Sequence, residues 1–305
     1  MNRQLRLMLS AIFFASFLTT FSHADSESWK FKNNNNNVIK LQQQGGDFQK
    51  TGDVQIEFYG HMAFKITSPA GIRILIDPWR NDPSGAWGLW FPKPFPEIEV
   101  DIVLSTHAHF DHDAVYRPKA TMVLERLAGN FTLGDVKITG IAEKHVCAVK
   151  GWYKWTDAAA EFNQDFCPPN NFLHMDNFIQ IIETGGIRIA HWGDNRPQPA
   201  EFAEALLRNI DVLIMNIDGS KHILSYEDID AALTRYKPNI IIPAHYYTKG
   251  VNSVLSTLQS AEDWVNRQPN IVKLSKAEIT LSKDKVNQSN RKILYFGMHH
   301  AAHKQ

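Results

Sequence analysis

The feature that most constrains this chain is a six-residue run, His107-Ala108-His109-Phe110-Asp111-His112, set just after the apolar stretch Ile102-Val103-Leu104. A strand ending in such a run delivers imidazoles to one side, because alternate residues share a face. Asp111 and His112 follow where the chain turns. Three of the 13 histidines fall in six positions, which a solvated loop would produce only by chance. Clustered imidazole and carboxylate suit zinc or a similar divalent ion. Thiolate clusters are excluded, since the chain has only 2 cysteines.

The rest of the chain must bring further ligands to that strand end. Its 305 residues are 44% hydrophobic and 21% charged, which excludes collagen-like and wholly disordered classes. Basic and acidic residues number 32 each, so no sequence-wide field exists for a phosphate backbone, and nucleic acid is not an expected partner. Residues 1–24 read as a secretory signal peptide: Arg3 and Arg6, an apolar run from Leu7 to Phe21, then Ser22-His23-Ala24. That run is shorter than the roughly 20 residues of a membrane span, so no stable anchor is expected after cleavage. The expected destination is secreted, or periplasmic in a Gram-negative source. In such a compartment Cys147 and Cys167 could close a loop worth about 3 kcal/mol. Spacing does not set their geometry, so paired and free readings both stand.

Residues 25–52, with Asn33 to Asn37, Gln42 to Gln44 and Gly45-Gly46, read as a flexible polar leader. Residues 53–298 read as one domain and residues 299–305 as a solvated polar tail. Alternation in Val54, Ile56 and Phe58 and apolar runs such as Ile72–Ile76, Ile187–His191, Val212–Asn216 and Ile240–Pro243 predict strands. Helices are expected over Pro199–Ile210 with Phe202, Leu206 and Ile210 inward, after the Ser225 cap, and along Val254, Leu258 and Val265. Short strands first, then strand–helix alternation, give an α/β class with two sheets between helices.

His107-x-His109-x-Asp111-His112 after an apolar strand resembles the signature of the metallo-β-lactamase superfamily. Gly60-His61-Met62-Ala63-Phe64 and Ile74-Leu75-Ile76-Asp77-Pro78 resemble the opening of its ascorbate-6-phosphate lactonase-like branch, a group that includes N-acylphosphatidylethanolamine phospholipase D. Ala142-Glu143-Lys144-His145, Gly193-Asp194 and Ile242-Pro243-Ala244-His245 are similar to the later metal motifs, in order. The resemblance implies a four-layer αββα sandwich with two divalent ions at one edge, zinc first and manganese or iron as alternatives. It implies that His107, His109 and His145 hold one ion and Asp111, His112 and His245 the other, with Asp194 bridging. Asp111 would also accept a proton from the shared hydroxide.

Other residues carry weaker readings. His61 in a hairpin reads as structural more than functional, and His191 as packing. His222, before the helix cap, reads as a substrate contact. Trp87 and Trp90, in a Pro/Gly-rich loop beside the ligand strand, read as pocket walls, against the alternative of a satellite core. Trp152, Tyr153 and Trp155 carry the same pair of readings. Arg196, where the family often has Thr-Gly after the aspartate, reads as a contact for an anionic substrate group or merely solvent. The expected function is a secreted hydrolase cleaving an ester, lactone or phosphodiester of a small molecule. The alternatives are a β-lactam hydrolase and an iron-dependent, oxygen-using enzyme on the same fold. Nothing in the sequence sets an oligomeric state.

Overall fold

A computed structural model describes Val38 and residues 51–146, 176–220 and 223–303. The signal segment, nearly all of the polar leader, both cysteines, Trp152, Tyr153, Trp155 and His222 lie outside the described residues. Two sheets form the body, flanked by helices, in the metallo-β-lactamase arrangement.

The first sheet holds β1 (Val54–Gly60), β2 (Ala63–Thr67), β3 (Arg73–Ile76), β4 (Glu99–Ser105), β5 (Lys119–Glu125) and β13 (Glu278–Leu281) in the order β13-β1-β2-β3-β4-β5. The second holds β6 (Gly129–Leu133), β7 (Val136–Glu143), β8 (Asn177–Thr184), β9 (Ile187–His191), β10 (Val212–Asn216), β11 (Ile240–Ala244), β12 (Ile271–Lys273) and β14 (Lys292–Tyr295). Its order is β12-β14-β11-β10-β9-β8-β7-β6. Helices α1 (Glu201–Leu206) and α2 (Tyr226–Tyr236) are the crossovers between the parallel neighbours β9, β10 and β11. The remaining described helices are α3 (Glu262–Val265) and α4 (Lys283–Asn287).

Strand parity divides the core. Phe58, Phe64, Ile74, Ile76, Ile102 and Leu104 join residues of the second sheet in the main cluster. The opposite side chains, Tyr59, Ala63, Leu75 and Val103, pack with Trp79, Trp90, Phe91 and Phe95 in a second cluster. The aromatic loop therefore covers the outer face of the first sheet, where Trp79 and Phe91 stack at 4.5 Å. Both readings of this loop hold in part: it is a core, and one edge of it borders the site described below.

Three expectations change. In α1 the inward residues are Ala203, then Leu207 and Ile210 beyond it, while Phe202 and Leu206 are exposed. The expected helix through Val254 is absent before Glu262, and Val254 is 82% exposed. There Ser253 Oγ accepts from Leu255 N–H and Ser256 Oγ donates to Ser253 O, local bonds that compete with helix. Nor is the tail solvated throughout: His299 is exposed, but Ala301 N–H donates to Phe58 O at 2.7 Å, and His300 and Ala302 are buried. The Ser225 cap forms as expected, accepting from Asp228 N–H in a capping box.

Gly140 lets β7 pass close beneath the β5–β6 connection, since a Cβ there would lie 1.7 Å from Leu127 O. Backbone cannot yield cheaply. Gly140→Ala is expected to cost about 3 kcal/mol, the upper end of ordinary overpacking, read as a lowered urea midpoint at unchanged slope.

Candidate metal centre

The strands that run parallel across the two sheets end at one edge, and each end carries a polar side chain. Beyond β4 come His107, His109, Asp111 and His112; beyond β7, His145; beyond β9, Asp194; beyond β11, His245. All seven expected ligands meet here. Three sets of potential ligand atoms each converge within 4.8 Å: His107, His109 and His145; His61, Asp111, His112 and His245; and His107, His112 and Asp194. Only His109 is exposed, on the open side.

Asp194 is the hub. Its Oδ2 lies 3.8 Å from His107 Nε2, 3.4 Å from His112 Nε2, 3.5 Å from His145 Nε2 and 3.4 Å from His245 Nε2. These spacings are longer than a good hydrogen bond. They approximate the separation of about 3.3 Å between two ligands of one tetrahedral zinc, from bond lengths of about 2.0–2.1 Å. His107 Nε2 is buried without a hydrogen-bond partner, an arrangement a bound cation would satisfy. The residues present fit a pair of divalent ions.

The opposite ring nitrogens are tied to the scaffold, which fixes each tautomer and aims Nε2 inward. His112 Nδ1 meets Asp77 Oδ2 at 2.8 Å, His245 Nδ1 meets Asp218 Oδ2 at 3.2 Å, and His145 Nδ1 meets Val146 O at 2.9 Å. His107 Nδ1 lies 3.1 Å from Thr106 Oγ1, whose hydroxyl donates to Asp77 at 2.7 Å. Asn216 donates to Asp194 Oδ1 at 2.6 Å. Gly193 supplies the turn before Asp194: its φ is +58°, and a Cβ would stand 2.5 Å from Asn177 Oδ1 and 2.8 Å from Thr106 Cβ. Non-glycine residues at positive φ also gather here, namely His61, Asp77 and His245. Strained backbone of this kind clusters at functional sites.

Burial and neighbouring charge set the proton inventory. Burial holds His107 well below the ordinary histidine range, reinforced by the His112 and His109 charges. His112 and His245 behave oppositely. Burial disfavours their charge, but Asp194, Asp111 and Asp77 outweigh it at His112 and raise it well above the ordinary value. At His245 burial is likewise overcome by Asp194 and Asp218, which raise it to about 10. Asp111 and Asp194 are buried, yet surrounding imidazoles keep both well below the carboxylate range.

The weaker expectations sort by contact. His61 stands inside the centre, with Nε2 2.9 Å from Asp111 Oδ2 and its ring 4.1 Å from that of His245. His191 packs below, donating to Met62 O at 2.9 Å. Trp87 and Trp90 border the cleft above the ligands. Arg196 is turned away: its Nη2 donates to Glu143 Oε1 at 2.8 Å, and it does not border that cleft. Asp77, Asp218 and Asn216 had no functional reading in the sequence. Their signal was positional, since each closes or follows an apolar strand run.

The profile of the beta-lactamase superfamily domain matches residues 55–245, from β1 to the last ligand. The chain belongs to this superfamily. Among curated relatives, a UPF0173 metal-dependent hydrolase of Myxococcus xanthus is 34% identical over 208 residues, 65% of this chain and 72% of the relative. One from Thermus thermophilus is 29% identical over 213 residues, 64% of this chain and 84% of the relative. A crystal structure from Thermotoga maritima, assigned to Zn-dependent hydrolases of the metallo-beta-lactamase superfamily, superposes with TM-score 0.54 at 21% identity. It covers 79% of this chain and 97% of its own and shares the fold. On this superfamily fold the two adjacent His/Asp clusters form the centre of a binuclear metal-dependent hydrolase.

Two outcomes follow. Asp77→Asn keeps the shape but loses the anchor on His112; zinc affinity in chelator competition should fall about 10- to 100-fold with the fold intact. Without metal, His245 near 10 is protonated at pH 7 and must give up that proton to ligate. Metal binding at pH 7 should therefore release at least about one proton per chain, more tightly coupled as pH falls, read by calorimetry in buffers of differing ionisation heat.

Proposed function

We propose that this chain is an exported hydrolase whose paired metal centre cleaves an ester, lactone or phosphodiester of a small molecule. The observation that carries the reading is Asp194 Oδ2 standing among four inward imidazole nitrogens at 3.4–3.8 Å. His107, His109 and His145 would hold one ion; Asp111, His112 and His245 the other, with Asp194 between them. Zinc fits this nitrogen-rich set first. Such a pair supplies a water whose pKa falls toward about 7 and a Lewis acid for the substrate oxygen.

The chain's own residues do the rest. Asp194 offsets the charge of two neighbouring cations, a task no neutral imidazole performs. Asp111 accepts the proton that the attacking water sheds, and His61 holds the Asp111 carboxylate in place at 2.9 Å. The scissile bond to oxygen breaks, and water supplies the new acid oxygen and the proton on the leaving group. The apolar run of residues 7–21 and the Ser22-His23-Ala24 end support export. The opening motifs around Gly60 and Asp77 support kinship with the lactonase-like branch.

Purified protein should carry two metals per chain and hydrolyse a member of a panel of aryl esters, lactones, a chromogenic phosphodiester and a cephalosporin. Turnover of the cephalosporin alone would favour the β-lactam reading, and a single bound iron the oxygen-using one. Asp194→Ala should lower occupancy at both positions and reduce the rate by orders of magnitude, with far-UV circular dichroism unchanged. Retention of two metals and parental activity would remove Asp194 from the bridging position.

A further inference from the structure

The cleft above the ligands, about 610 Å³, joins two unlike surfaces. Its floor is polar: His109, Asp111, His145 and Asp194. Its wall is apolar, built from Trp87, Trp90, Phe110, Ile223 and Pro83. Trp90 and Phe110 meet edge to face at 5.4 Å. Trp87 leaves 46% of its surface exposed beside them.

This wall is held by the backbone. Asn81 Oδ1 accepts from Trp90 N–H at 2.9 Å and Phe91 N–H at 2.8 Å, and Asn81 Nδ2 donates to Phe91 O at 2.8 Å. Trp90 O in turn accepts from Ser253 N–H at 2.7 Å. The backbone that carries Trp90 is thus tied before any ligand arrives, and a ligand that meets this side of the cleft does not have to order it. Among the described residues, Arg80 is the one Lys or Arg bordering the cleft, and its guanidinium is forked onto Asp113 at 2.9 and 3.3 Å. Among the described residues, a group reaching up from the floor therefore meets aromatic faces and a carboxylate, Asp82, instead of an uncommitted cation. Apolar walls over a few convergent polar groups are the usual form of small-molecule sites.

We propose that the substrate is a neutral carboxylic ester or lactone bearing an apolar, preferably aromatic, group that lies along Trp87, Trp90 and Phe110 while its carbonyl is turned to the floor of the cleft, where the metals that His109, Asp111, His145 and Asp194 would help to hold would polarise it. This narrows the hydrolase reading above and rests on it. Hydrolysis adds water across the acyl carbon–oxygen bond, giving a carboxylate, an alcohol and one proton.

Ethyl acetate, ethyl phenylacetate and benzyl acetate, followed by pH-stat with the metal-loaded protein, vary the aromatic group on either side of the same bond. At least one aromatic ester should exceed ethyl acetate in kcat/KM by about tenfold, the worth of one well-packed ring. Trp87→Ala should erase most of that ratio, mainly through KM, with two metals still bound. A second readout needs no turnover: N-benzylacetamide should bind saturably by saturation-transfer NMR, N-methylacetamide should not, and Trp87→Ala should abolish the difference. Equal rates for all three esters, or equal binding of the two amides, would overturn the inference. Cleavage of a phosphodiester without cleavage of any ester would overturn it while leaving the hydrolase reading standing. Saturable benzylacetamide binding with no turnover of any compound would instead count against the hydrolase reading and leave the aromatic wall in place.

Discussion

Everything at this edge depends on keeping a buried carboxylate, Asp194, charged among imidazoles. Removing a carboxylate from water is costly unless opposite charge and hydrogen bonds replace its solvent. Here Asn216 and the His245 and His112 rings replace it, and those rings are themselves held by Asp218 and Asp77. The acids and imidazoles form alternating layers of charge, each stabilised by the next. A divalent pair held by these residues would complete the alternation at the centre, where the inward nitrogens converge. The two sheets exist, in functional terms, to bring six strand ends close enough for this alternation to close.

The local part of the centre was legible in the sequence because one strand end carries four of its ligands in six positions. His145, Asp194 and His245 lie far along the chain, and only their likeness to motifs in a known order pointed to them. Asp77, Asp218 and Asn216 were illegible for a different reason. Their roles are contacts with residues apart in sequence, His112 and Thr106 for Asp77, His245 for Asp218 and Asp194 for Asn216, which position after an apolar run does not reveal. His61 was undervalued on the same ground, since only the fold brings the β1–β2 turn against Asp111. Among secondary structure, parity in the apolar strands read correctly because burial follows a period of two. The segment around Val254 misled because its apolar spacing matched a helix, while serine side chains there bond the backbone locally. At α1 the expectation held for Ile210 but not for Phe202 and Leu206, whose exposed side chains leave the inner face to Ala203 and Leu207.

Arg196 illustrates how charge in a motif can serve the frame. It follows Asp194 closely, yet its guanidinium spans back to Glu143 at the end of β7. Val146 N–H donates to Asp194 O at 2.9 Å alongside it. These two links bind the His145 segment to the Asp194 segment.

The described end of the chain bears on the choice of any handle for this protein. Residues 300–302 are sealed against β1, and His303 stands edge-on to Trp79 at 6.1 Å, within the same aromatic layer that supplies the cleft wall. A fusion, a surface tether or an affinity peptide attached there would pull on the layer that also supplies Trp90. An immobilised form attached at this end would report binding through a distorted wall, whereas attachment on the exposed face of α2 would leave that layer untouched.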